Sequence, residues 1–177
     1  MSKTVYLCGP INGCTDDEAT TWREQAKKLL SPEVSPSCAN HDIPQYDFLD
    51  PMRRDYRGQE GDCTAEIVDL DLIDVEESDI IIACCPKPSA GTSMEMYEAH
   101  RYQRKPVVTV IPEGVVVSPW VKRHSTKIVK SIEEACAWII STFGPVSMPV
   151  FILGYPSLNT GFDDPSCTGG KRKDLKL

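Results

Sequence analysis

The segment from Asp79 to Cys84 is almost entirely apolar, and a loop of small residues separates it from a stretch with helical character. A short apolar run bounded by turn residues predicts a strand that is buried on both faces of a sheet. The loop spans Pro88 to Ser93, and a helix from about residue 93 to 104 follows it and ends near Lys105-Pro106. This strand–loop–helix unit predicts a parallel sheet, which constrains the fold more than any other feature.

Strands and helices alternate along the rest of the chain. We predict further strands at 4–8, 46–49 and 106–111, and helices at about 16–30, 64–76 and 132–142, with capping boxes at Thr15 and Ser131. The pattern indicates an α/β protein, a single-domain Rossmann-like (flavodoxin-like) parallel sheet with helices on both faces. We place one domain at 1–145, with irregular chain at 31–45. A C-terminal extension at 146–177 is predicted as an edge strand at 148–153 and then a mobile tail.

Composition excludes several classes of protein. The 177 residues carry a net charge of −7, which argues against a protein that coats nucleic acid but leaves a small anionic substrate open. No apolar stretch approaches the roughly 20 residues that span a bilayer. The N-terminus enters a strand directly, without a signal-peptide pattern. We therefore expect a cytoplasmic protein without a membrane or nucleic-acid-polymer partner.

The eight cysteines do not suggest a metal site. None of them forms a CxxC pair, and the three histidines are distant in sequence from any pair of thiols. This spacing argues against zinc and favours reduced, mostly buried thiols. We expect no metal.

Two loops are predicted to lie together at the carboxyl edge of the sheet, where α/β proteins bind ligands. One is Gly9 to Gly13 and the other is Ser89 to Ser93. The first is neither GxGxxG nor a P-loop, so a mononucleotide or another small ligand fits better than a dinucleotide, and a plain turn remains an alternative. In the second, hydroxyls and a helix N-terminus suit a phosphate or a sugar hydroxyl.

Two acidic residues are candidates for chemistry at this edge. Glu95 is expected in the first turn of its helix, where it either faces the ligand or merely completes a capping box with Thr92. Asp71 belongs to an acidic helix with Asp69 and Asp74, of which one acid is expected to face inward. A carboxylate beside an anomeric carbon attacks it or stabilises an oxocarbenium-like transition state, while a second carboxyl protonates the leaving group.

The chain resembles the nucleoside 2-deoxyribosyltransferase superfamily, and its site is most similar to that of the 2'-deoxynucleoside 5'-monophosphate N-hydrolases. The resemblance covers roughly residues 4–140 and rests on an ordered set of segments: Val5 to Ile11, Asp71, Ser78 to Ile82, Gly91 to Glu95 with Ala99, Lys105 to Val108, and Ser118 to Trp120. It identifies the predicted domain as a catalytic one.

The resemblance implies a role for each matching residue. Glu95 is the expected nucleophile at C1' of the sugar, Asp71 the proton donor or base-binding group, and Tyr6 the residue that orients Glu95. The expected substrate-binding residues are Gly9, Ile11, Asn12, Ser89, Gly91, Met94 and Ser118. No cofactor is implied, because carboxylates perform the chemistry.

Ser89 distinguishes between members of the superfamily. Transferases of free nucleosides tend to carry an acid at this position, which would repel a phosphate, whereas a hydroxyl binds one. The resemblance further implies that Ser118 reaches the site across a dimer interface, within a homodimer or an assembly of dimers. Arg53, Arg54 and Arg57 either supply positive charge for the phosphate or are solvated. Met52 and Tyr56 are expected near the base.

The leading hypothesis is an N-glycosidase that hydrolyses a (deoxy)nucleoside 5'-monophosphate to free base and (deoxy)ribose 5-phosphate through a Glu95 glycosyl-enzyme. The first alternative is a nucleoside 2-deoxyribosyltransferase that passes the same intermediate to another base. The second is a catalytically silent nucleotide-binding protein. All three take a small-molecule nucleotide or nucleoside as partner.

Overall fold

The computed structural model describes residues 2–31 and 46–144. The strands are β1 (Lys3–Cys8), β2 (Tyr46–Leu49), β3 (Ile80–Cys84), β4 (Val107–Val110) and β5 (Lys127–Val129). The α-helices are α1 (Asp16–Leu30), α2 (Thr64–Glu77), α3 (Ala90–Tyr97), α4 (Pro119–Arg123) and α5 (Ile132–Phe143). A 3-10 turn covers Pro51–Arg53, and a π-helical turn, Glu98–Tyr102, continues α3.

The five strands form one parallel sheet in the order β2-β1-β3-β4-β5. The predicted α/β fold with a parallel sheet is confirmed. From β1 the chain proceeds to β2 at one edge of the sheet, and from β3 it proceeds through β4 to β5 at the other edge. The direction of winding therefore reverses between β1 and β3, and the carboxyl ends of these two strands flank that point. In sheets of this kind a crevice opens there.

Alternating strand residues divide the core into two clusters, one on each face of the sheet. Val5 and Leu7 point to the cluster that contains side chains of α1 and α5. Tyr6 and Cys8 point to the opposite cluster, together with Val75 of α2 and residues of α3. The parity of β1 therefore places Tyr6 and Cys8 on the same side of the sheet as the two helices that carry Asp71 and Glu95.

Most predicted elements are present, with two differences. The helix after β3 begins at Ala90 rather than near residue 93, because Ser89 accepts the capping hydrogen bond. The short elements α4 and β5 were not predicted, since β5 has only three residues and two of them are exposed. The predicted irregular chain after Ser31, the edge strand at 148–153 and the tail lie outside the described residues.

Within residues 2–31 and 46–144, no helix has the length and apolar character needed to cross a membrane. In the same ranges no group of three or more His, Cys, Asp or Glu side chains is arranged to hold a metal ion. Six cysteines in this part of the chain are free thiols, and four of them, Cys8, Cys84, Cys85 and Cys136, are buried.

Candidate active site

A cleft of about 190 Å³ opens at the carboxyl ends of β1, β2 and β3. Three loops, one face of α2 and the start of α3 form its walls. The lining residues are Gly9, Ile11, Asn12, Pro51, Arg54, Tyr56, Arg57, Glu60, Ile67, Asp71, Ser89, Gly91, Thr92 and Glu95. The structure therefore brings together Glu95, Asp71 and five of the seven predicted substrate-binding residues.

Glu95 lies in the second turn of α3, with its carboxylate held against the end of β1. The Tyr6 hydroxyl, which is fully buried, donates to Glu95 Oε2 over 3.1 Å. The Cys8 thiol points to the Thr92 carbonyl at 3.7 Å and is also close enough to Glu95 to act on its ionisation. Because Ser89 caps α3, Glu95 is neither in the first turn nor part of a capping box, and both of those interpretations were wrong.

The surroundings of Glu95 raise its pKa to about 7, and burial of the carboxyl is the largest cause. The negative charge of Asp71 raises it further, whereas Tyr6, Cys8 and the positive charge of Arg23 lower it. Burial raises the pKa of the Tyr6 hydroxyl most, and the negative charge of Glu95 raises it further. Tyr6 therefore keeps its proton and stays a hydrogen-bond donor. A carboxyl whose pKa is near 7 is suited to form and break a covalent bond within one catalytic cycle.

Asp71 is bound by an arginine from the loop after β2. Arg54 Nη2 lies 3.1 Å from Asp71 Oδ1 and 2.6 Å from Asp74 Oδ2. Asp74, one turn further along α2, is buried, while Asp69 is exposed, so two acids face inward rather than one. Burial raises the pKa of Asp71, and Arg54 opposes that rise.

The three arginines considered as phosphate ligands are each engaged by acids of the chain itself. Arg53 pairs with Asp74, Arg54 with Asp71 and Asp74, and Arg57 with Asp16 and Asp55. Arg54 and Arg57 also line the cleft, while Arg53 is exposed, so the supply of positive charge for a phosphate stays a prediction. The three arginines brace the loop after β2 against α1 and α2.

Ser89 occupies the wall of the cleft at the N-terminus of α3. Its Oγ accepts hydrogen bonds from the Thr92 amide over 3.3 Å and from the Thr92 hydroxyl over 3.0 Å. Both lone pairs are therefore used, and the Ser89 O–H proton is left to donate. Ser93, by contrast, turns back and donates to the Ser89 carbonyl over 2.8 Å.

Met94 and Ser118 do not line the cleft. Met94 is 69% exposed, on the outer side of α3. Ser118 caps α4 and lines an adjoining depression of about 340 Å³, which shares Ser89 and Thr92 with the cleft. Met52 is also absent from the cleft wall, whereas Tyr56 is part of it.

Three titratable residues around the cleft have no role in the sequence-based site. Cys8 acts on Glu95 through its thiol, Glu60 adds an acid to the wall, and Arg23 is buried behind the loop at Gly9. The signal for Arg23 was present in the sequence. It lies between Ala19 and Ala26 at helical spacing on the apolar side of α1, where a charged residue needs a buried partner.

Comparisons with known proteins identify the fold. No protein-family model matches the sequence, and no curated protein matches it. The 2-deoxyribosyltransferase from Bacillus psychrosaccharolyticus is similar in structure, with a TM-score of 0.55 and 14% identity over 75% of this chain and 89% of the enzyme. The Clostridium botulinum CMP N-glycosidase BcmB matches at 16% identity and a TM-score of 0.46, over 77% of this chain and 97% of that one. The match to the 2-deoxyribosyltransferase confirms the predicted Rossmann-like α/β fold.

Proposed function

We propose that the protein is an N-glycosidase that hydrolyses a (deoxy)nucleoside 5'-monophosphate to free base and sugar 5-phosphate. The observation that carries the proposal is the Glu95 carboxylate, which is oriented by Tyr6 at 3.1 Å and faces a cleft that also contains Asp71. A neutral-range pKa of about 7 gives Glu95 a substantial ionised fraction at neutral pH, as a nucleophile requires.

The reaction divides into two displacements at C1' of the sugar. In the first, ionised Glu95 forms a bond to C1' while the C1'–N bond breaks. The electron pair of the broken bond goes to the base nitrogen, which takes up a proton from solvent. In the second, the oxygen of a water molecule bonds to C1', the ester bond to Glu95 breaks and the carboxylate is regenerated. The proton lost by water balances the proton taken up by the base.

Asp71 and Arg54 form the part of the site suited to the base. Arg54 donates to Asp71 Oδ1 over 3.1 Å, so the Asp71 carboxylate is held in an ion pair in which its oxygens accept hydrogen bonds. Arg54 presents donors beside that acceptor. We favour the base-binding role of Asp71 over that of a permanently protonated acid. In this role the Asp71 carboxylate accepts a hydrogen bond from the base in the first displacement. In the second displacement it accepts the proton that the attacking water loses and passes it to solvent.

The 5' end of the substrate is assigned to Ser89 and the N-terminus of α3. The free O–H of Ser89 and the unpaired amides at the start of α3 are donors, and phosphate oxygens are acceptors. A carboxylate at this position would select a free 5'-hydroxyl instead. This assignment favours the monophosphate over the free nucleoside.

We further propose that the protein is a homodimer, or an assembly of dimers, joined through the face formed by α3, the π-helical turn and α4. Large apolar side chains are exposed along this face: Met94 at 69%, Tyr102 at 64%, Trp120 at 67% and Val116 at 89%. Of these side chains, Val116 lines the depression that contains Ser118 and adjoins the cleft. A two-fold contact here would cover these side chains and bring Ser118 to the partner's site.

The transferase remains the second candidate, because the same Glu95 glycosyl-enzyme can be discharged by a base instead of water. The silent nucleotide-binding protein is the third candidate. In a silent protein, the Glu95 carboxyl, with its pKa of about 7 and its hydrogen bond from Tyr6, would have no catalytic role.

Chromatography of the purified protein with a panel of nucleosides and 5'-monophosphates, with and without an added free base, separates the three candidates. The proposal expects base release from monophosphates without an acceptor, and loss of that release in Glu95→Gln. Exchange of bases on unphosphorylated nucleosides would assign the transferase. Ligand binding without any product would assign the silent protein.

A further inference from the structure

Arg23 of α1 is a fully buried arginine that joins two walls of the cleft. Its Nη2 donates to the Gly9 carbonyl over 3.0 Å, and its Nη1 donates to the Ala19 carbonyl. Nε lies 3.3 Å from Asp50 Oδ1, within ion-pair distance but without a well-aligned hydrogen bond. The guanidinium also lies 4.4 Å from the centre of the Trp22 ring, at a distance typical of cation–π contacts.

Asp50 extends the contacts of Arg23 to the loop after β2. Its Oδ1 accepts from the Met52 amide over 2.9 Å, which opens the 3-10 turn Pro51–Arg53, and its Oδ2 pairs with Lys27 at 2.7 Å. Arg54 follows that turn and binds Asp71. One buried cation is thus connected on one side to the loop of Gly9, Ile11 and Asn12, and on the other to the arginine that holds Asp71.

We propose that Arg23 is a positioning residue, which fixes the loops after β1 and β2 relative to each other and holds a positive charge within electrostatic reach of Glu95. This inference rests on the role proposed above for Glu95. Burying an arginine is costly, and a single carboxylate partner without an aligned hydrogen bond offsets that cost incompletely. A purely structural position would be filled at lower cost by an apolar side chain.

The charge of Arg23 acts on Glu95 in a defined direction. The titratable groups around Glu95 are Tyr6 and Cys8 of β1, Arg23 of α1, Asp71 of α2 and Cys85 after β3. Arg23 is the cation among these groups of the described chain, and it lowers the pKa of Glu95; Arg54 and Arg57 line the same cleft but are paired with acids. Removing the cation therefore raises that pKa, whereas removing its partner Asp50 leaves the cation less compensated and lowers it.

The test is a direct titration of Glu95, which does not depend on turnover. NMR of protein with ¹³Cδ-labelled glutamate follows the carboxyl, and the Glu95 signal is assigned by its loss in Glu95→Gln. We expect Arg23→Met to raise the pKa of Glu95 by roughly half a unit or more, Asp50→Asn to lower it, and Lys28→Met, an exposed cation on the same helix, to leave it unchanged.

Opposite shifts from the two halves of the ion pair would establish the role of the charge. Shifts of the same sign, or no shift in Asp50→Asn, would overturn it. Should Arg23→Met not fold, Asp50→Asn alone carries the test, since its amide oxygen still accepts from Met52. If the pKa of Glu95 shifts as predicted but no base is released, the proposed reaction is refuted and this inference stands. If base is released but the pKa does not shift, this inference is refuted and the proposed reaction stands.

Discussion

The Tyr6 hydroxyl at the end of β1 donates to Glu95 Oε2 over 3.1 Å, across 89 positions of sequence. The bond couples the central strand of the sheet to the helix that begins after its neighbour β3. It stabilises the ionised form of Glu95 and lowers the pKa that burial raises. Activity of the site should therefore depend on this hydroxyl through the ionisation of Glu95.

Tyr6→Phe is expected to raise the pKa of Glu95 above about 7, because it removes a donor to the carboxylate. A hydrogen bond to a charged group contributes roughly 1.5 to 3 kcal/mol, so kcat/KM should fall by about tenfold or more, and its acidic limb should move to higher pH. The pH profile of kcat/KM measures both. Tyr46→Phe is the control, since Tyr46 is also buried but its hydroxyl has no partner among the described residues. An acidic limb that stays in place in Tyr6→Phe would contradict the assigned coupling.

Glu95→Gln is expected to stabilise the protein more at pH 8 than at pH 5. The folded pKa of Glu95 is raised above 4.5 to about 7, so its contribution to stability is present below pH 4.5 and is lost as the pH rises through 7. That difference corresponds to at most about 3 kcal/mol. Urea unfolding at both pH values measures it, with the exposed Glu24 changed to Gln as control. Equal effects of Glu95→Gln at the two pH values would show that the carboxyl titrates normally.

Ser89→Asp tests whether the 5'-phosphate of the substrate binds at Ser89. Aspartate caps helices as well as serine does, so α3 should stay intact, while the new charge repels a 5'-phosphate. We expect kcat/KM for the monophosphate to fall by about tenfold or more, a cost of about 1.4 kcal/mol, with no such loss for the free nucleoside. Ser131→Asp at the cap of α5 is the matched control. A parallel loss on both substrates would remove Ser89 from the phosphate site.

Gly9→Ala is expected to destabilise the protein by about 1 to 3 kcal/mol through overpacking. A Cβ at Gly9 would lie 2.7 Å from Trp22 Cζ2 and 3.2 Å from the Cys84 carbonyl oxygen, and neither neighbour is the end of a flexible chain. The urea midpoint at constant slope measures the loss. Gly61→Ala, where the added Cβ meets nothing within 4 Å, should be close to neutral. An unchanged midpoint in Gly9→Ala would mean that the loop moves away from α1.

Local signals predicted the fold well. The Thr15 capping box fixed the start of α1, and the strand at Tyr46–Leu49 was predicted with its observed ends. The start of α3 was misplaced because two hydroxyl residues, Ser89 and Thr92, compete for the cap, and only tertiary contacts decide between them. The same ambiguity placed Glu95 one turn too early.

The contacts between charged residues were beyond local prediction. Arg54 and Asp71 are 17 positions apart, and Arg23 meets Asp50 across the edge of the sheet. No periodicity or motif in the sequence indicates either ion pair, because both depend on how β2 and α1 pack. Glu95 and Asp71 were candidates from their positions in the strand–loop–helix pattern and the acidic helix, and the resemblance added Tyr6 and the role of each residue. The sheet explains why Tyr6 meets Glu95, since the carboxyl ends of β1 and β3 are neighbours.

The central claim is a covalent bond between Glu95 and C1' of the substrate. Mass spectrometry of the protein, quenched in acid during turnover of a 5'-monophosphate and digested, measures it directly. The account predicts a peptide containing Glu95 that is heavier by one sugar-phosphate residue, and no such adduct in Glu95→Gln. Base release at a full rate with no adduct on Glu95, or with the adduct on another residue, would contradict it.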